Sequence, residues 1–142
     1  MHTRRWWAAL IGTALVGVLT ACRSRNAPVA TPLEGTKWAL DEIGGQPSGH
    51  GAGGKPVTLL LSAADRRASG FSGCNHFTGS YQAAGDTLTF GAVAMTMMAC
   101  ADGMELEQAF GAALAETRSY RISGRELDLL ADTAVVARFK AR

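Results

Sequence analysis

Residues 70 to 81 read GFSGCNHFTGSY, and three side chains in that stretch, Ser72, Cys74 and His76, could do chemistry. Gly70-Phe71-Ser72-Gly73 matches the front of a G-x-S-x-G turn, which would present Ser72 as a nucleophile. Cys74 and His76 make a C-x-H pair, and Cys100 and Asp102 supply a matching C-x-D pair farther on, so the four could form a tetrahedral metal set. The third chemistry is a disulfide between Cys74 and Cys100.

The compartment decides among these, and the N-terminus points to one. Arg4 and Arg5 precede an uncharged run from Trp6 to Ala21 that is too short for a comfortable membrane span and reads as a secretory signal. It closes on Leu19-Thr20-Ala21-Cys22, which resembles the bacterial lipobox, where a peptidase cuts before the cysteine and the sulfur carries a diacylglycerol. Residues 1–21 are therefore expected to be a lipoprotein signal peptide, with Cys22 the site of lipid attachment. Several acyl chains hold far better than the marginal anchoring of one, because burial is worth about 0.8 kcal/mol per CH₂. Removing Arg4 and Arg5 also changes the charge, since 14 Lys and Arg against 12 Asp and Glu become 12 against 12. With no basic excess, nucleic acid and purely electrostatic membrane binding lose their support.

Acylation of Cys22 leaves Cys74 and Cys100, an even pair in an oxidising compartment, and a disulfide is the expectation. It would close a loop of about 27 residues, for which loop-closure entropy gives roughly 3.5 kcal/mol. The metal set is the weaker reading, because structural sites favour C-x₂₋₄-C spacing and exported thiols oxidise first. The nucleophile is weaker again. Position 74 is cysteine where the turn needs glycine, and of the bases left after cleavage His50 sits in a glycine-rich loop. No carboxylate pair has an acid/base arrangement. The expectation is a protein with no catalytic, cofactor-binding or metal-ligating residues.

These residues need elements to position them. Residues 22–32 are polar, contain two prolines, and read as a lipidated flexible tether. From Leu33, TKWALDEI alternates like a half-buried strand with Trp38 in the core. GGQPSGHGAGGKP at 44–56 contains Gly49, Gly54 and Lys55 at phosphate-loop spacing, but Pro56 replaces the required Ser or Thr and a strand follows, so nucleotide binding is excluded. Strands are expected at 57–62, at 76–82 with Phe77 and Tyr81 on one face, and at 86–91. RSYRIS, ELDLLA and AVVARF predict a terminal meander. Residues 102–116 carry Leu106, Phe110 and Leu114 at four-residue spacing with Ala109 and Ala113 on the same stripe, which predicts an amphipathic helix, with Asp102 and Glu105 as its capping box. The Met95–Met98 run, MTMM, is expected to fill core space.

Taken together, Leu33-Glu34-Gly35-Thr36-Lys37-Trp38-Ala39-Leu40, the stretch Gly70–Tyr81, Met95-Thr96-Met97-Met98-Ala99-Cys100 and the acidic helix resemble the META domain family of HslJ-like bacterial envelope lipoproteins. The resemblance covers nearly all of 33–142, the expected folded domain. It implies a mainly β (α+β) fold, an antiparallel, partly rolled barrel-like sheet with one amphipathic helix, facing the periplasm. It implies no catalytic residues, carries Cys74 and Cys100 over as a bonded pair, and connects the family with envelope stress and drug tolerance. Arg23 after the acylated cysteine points to the outer membrane. The expected function is a lipid-anchored, non-catalytic interaction or assembly module with a protein partner in the envelope. The alternative is a carrier holding a lipid or other apolar ligand against Phe71, Phe77, Tyr81, Phe90 and Met95.

Overall fold

The computed structural model of the chain describes residues 29–142. The signal peptide, Cys22 and most of the tether lie outside them. Nine strands and one helix follow in order: β1 (Lys37–Ile43), β2 (Gln46–Pro47), β3 (Thr58–Ser62), β4 (Arg67–Phe71), β5 (His76–Ala84), β6 (Thr87–Met95), α1 (Met104–Glu116), β7 (Ser119–Ser123), β8 (Glu126–Ala131) and β9 (Ala134–Ala141). All strand pairings are antiparallel. From β3 to β9 each strand pairs with the next in sequence, and β1 joins β3 on one side and β9 on the other, so eight strands close into a ring with β2 appended to the end of β1.

An eight-stranded ring has an interior just wide enough for side chains to fill, and the inward residues fill it. Trp38, Leu59, Leu61, Leu88, Leu127, Leu129 and Phe139 are fully buried, and the Trp38 indole donates to the Leu33 carbonyl at 2.9 Å. The ring is weakest between β6 and β7, which share only the Thr87–Ser119 pair. The helix packs against β6, β9, β1 and β8, and its Phe110 meets Phe77 and Phe139 edge-on, with centroids 5.2 and 6.3 Å away. Burying apolar area there stabilises the helix on the barrel at about 25 cal/mol per Å².

On the outer wall, Arg121, Asp128, Arg138 and Glu42 stand in cross-strand register over β7, β8, β9 and β1. Arg138 Nε donates to Asp128 at 2.7 Å and its Nη1 to Glu42 at 3.1 Å, while Arg121 holds the other oxygen of Asp128. Burial pushes the Asp128 carboxyl up, but the two guanidinium groups outweigh it and hold the group below its ordinary range.

Several expectations need correction. Residues 67–71, unassigned from sequence, form β4, paired with β3 and β5; its mixed Arg-Ala-Ser-Gly-Phe composition hides the alternation. In β1, Ala39 is buried along with Trp38 and Leu40, and the register with β9 shifts after Leu40, before Glu42. The helix has no capping box. It starts after Gly103, with no side-chain cap, because the backbone there is pressed against the Gly73 carbonyl. Ala109 is exposed, and the buried stripe is Glu107, Phe110, Ala113 and Leu114.

Candidate functional site

The reactive-looking stretch is the loop between β4 and β5. Ser72, Cys74 and Asn75 are buried in it. Glu107, on the first turn of α1 and 8% exposed, reaches into the loop and collects its donors. Its Oε2 accepts from the Asn75 amide N–H at 2.6 Å and the Cys74 amide at 3.3 Å, and Ser72 Oγ lies 2.6 Å away. Its Oε1 accepts from Asn75 Nδ2 at 2.9 Å. Burial raises the affinity of this carboxyl for a proton, yet the side-chain bonds from Ser72 and Asn75 and the backbone bonds from Asn75 and Cys74 win, leaving it below its ordinary range. A carboxylate saturated in this way is a fastener. Ser72 is fully buried and bonded, so it has no path to a substrate.

Asn75 carries the fastening one layer outward. Its Oδ1 accepts from Thr96 Oγ1 at 3.0 Å and from the Met98 amide at 2.8 Å, and its Nδ2 also donates to the Met98 carbonyl at 3.1 Å. The Thr96 amide donates to the His76 carbonyl at 3.0 Å. Cys74 and Cys100 are joined in a disulfide with Cα atoms 5.8 Å apart, so the four-ligand metal set has no thiolates to offer. His76 is exposed, with its ring edge-on to Phe71 at 5.6 Å, and Asp102 is exposed as well. Three backbones also converge on the Gly73 carbonyl, which accepts from the Ala52 amide at 2.7 Å. A Cβ on Gly51 or on Gly103 would sit 2.2 Å from that oxygen. This contact gives the glycine-rich 44–56 stretch its structural purpose.

The disulfide and Asn75 thus tie the backbone of residues 96–100 to the loop while leaving Met97, Met98 and Ala99 exposed. Met95 packs against the core, but Met97 is 97% exposed and Met98 56%, with Met104 of α1 also exposed. The expectation that MTMM fills the core therefore holds for Met95 alone. The run leaves the barrel at the end of β6 and crosses the loop's outer surface.

A sequence profile of the META domain matches residues 31–142. The chain belongs to the META domain family. An NMR structure of a protein from Burkholderia xenovorans is similar to this META domain at 32% identity and a TM-score of 0.64, over 78% of this chain and 83% of that one. A second NMR structure of a protein shares the fold at 24% identity and a TM-score of 0.57, over 74% of this chain and 87% of that one. None of the curated proteins matches.

Sequence reasoning found Cys74 and Cys100 but passed over Ser72 and Asn75 as structural donors, and over Glu107. The signal for Glu107 was available, because it stands three residues before Phe110 and seven before Leu114, an acid on the buried stripe of a META helix.

Proposed function

We propose that this META domain is a lipid-anchored, non-catalytic module of the bacterial envelope, held at Cys22 and facing the periplasm from the outer membrane, that binds or helps assemble another envelope protein under envelope stress or drug challenge. The observation that carries this reading is the Met97–Met98 run, two flexible apolar side chains held in water on a backbone fixed by Asn75 and the disulfide. Exposed methionines on a fixed backbone suit an adaptable protein contact, because thioether chains repack against varied surfaces. The buried, saturated state of Ser72 and Glu107 supports a role without covalent chemistry. A carrier with its ligand inside the barrel is disfavoured, since Trp38, Phe110, Phe139 and the inward leucines occupy that space.

The test is photocrosslinking in cells from a benzophenone amino acid at Met97, with and without Met98→Glu. A reproducible protein adduct that Met98→Glu abolishes, with the melting temperature unchanged, is the expected result. Absence of any protein adduct, under stress as well as in unstressed growth, would overturn the reading.

A further inference from the structure

The barrel has a second feature at its other end. The segment from Pro32 to Gly35 that precedes β1, the β3–β4 turn, the β5–β6 turn and Tyr120 surround an open groove of about 890 Å³, within the range of small-ligand sites. Its floor is Leu33, Leu60, Leu61 and small alanines. Leu60 projects into it from the outer face of β3 and is 38% exposed. One cation stands on the rim, Arg66, with its side chain 61% exposed.

Arg66 occupies an unusual place. It sits at φ 55 in the turn, a left-handed conformation uncommon for a non-glycine residue, and its carbonyl accepts from the Tyr81 amide at 3.1 Å. Its guanidinium lies 3.5 Å from Glu34 Oε1, a loose contact, and is near enough to the Tyr81 hydroxyl to oppose part of that group's upward shift. Glu34 is held from below by the Tyr81 hydroxyl. Burial first, then Glu34, pushes the Tyr81 phenol up to about 12, so it remains a donor to Glu34. Most of the five N–H donors of Arg66 are thus open to an anion at the mouth of an apolar groove.

The position of the chain names the occupant. Pro32 lines the groove and stands ten residues after Cys22, and ten residues cannot reach farther than about 35 Å even fully extended. We infer that the groove takes an acyl chain of a bilayer phospholipid, with the lipid phosphate on Arg66. This rests on the reading above that Cys22 is acylated, which keeps the groove's end of the barrel near the bilayer.

The experiment uses the full chain in a bacterial host, with a benzophenone amino acid at Leu60, a second variant at Ala84 and a control at Met97, followed by the intact mass. The mass reports acylation of Cys22 independently of the adduct. An added mass of one phospholipid at positions 60 and 84, absent at 97 and reduced several-fold by Arg66→Ala, is expected. Acylated protein with no lipid adduct would overturn the groove assignment and leave the anchoring intact. A peptide adduct, or a link to the chain's own N-terminal lipid, would overturn it as well. A lipid adduct on unacylated protein would support the groove and remove the anchor.

Discussion

Glu107 is the residue on which the loop depends. Replacing it with alanine strands the Asn75 and Cys74 amides and one N–H of the Asn75 side chain in a buried site, and unsatisfied buried donors cost about 1–3 kcal/mol each. Glu107→Ala is expected to destabilise the domain by about 3 kcal/mol or more in urea titration. The pH dependence follows from the sign of the shift. A carboxyl held below its ordinary value of 4.5 contributes stability in full above that pH and loses it as pH falls through the lower folded value. Glu107→Gln keeps the shape and removes the titration, so the stability gap between wild type and this variant should narrow below about pH 4.5. Met97→Glu, at a side chain almost wholly in water, should leave the melting temperature within about 0.5 kcal/mol-equivalent of wild type.

Between elements, the disulfide and the glycine contact join the β4–β5 loop, the approach to α1 and the glycine-rich connection. Cys74→Ala with Cys100→Ala removes a bond spanning 26 residues and should cost about 3 kcal/mol in the same titration. Gly103→Ala drives a Cβ into the Gly73 carbonyl and should destabilise by more than the few tenths typical of a surface change. Much at this scale was legible in the sequence. The alternation in 76–82, the turns at Gly85-Asp86 and Ser123-Gly124, and the Phe110–Leu114 stripe locate most strands and the helix, because local periodicity reports which face is buried. What was hidden depends on partners far along the chain. Strand β4 lacks apolar alternation and is recruited by β3 and β5, the helix start is set by Gly73 rather than by Asp102, and Met97 and Met98 look like core residues until Asn75 and the disulfide are seen turning them outward.

The whole molecule has two ends. The nine residues of β5 run from His76, beside the methionine run, to Ala84, on the rim of the groove, a distance of about 26 Å at the rise of a strand. The chain enters at the groove's end, where Thr31 bonds the Gly124 carbonyl at 2.8 Å, so an anchor at Cys22 would turn the groove toward the bilayer and the methionines toward the periplasm. The filled barrel between them is a rigid spacer, stiffened on its wall by the Arg121–Asp128–Arg138–Glu42 ladder. This polarity is the central claim, and fluorescence quenching tests it most directly. The acylated chain is placed in vesicles containing lipids with a nitroxide headgroup, with a fluorescent amino acid at Leu60 in one sample and at Met97 in another. Strong quenching at position 60 with little at 97 is the predicted result; equal quenching at both positions, or stronger quenching at 97, would contradict it.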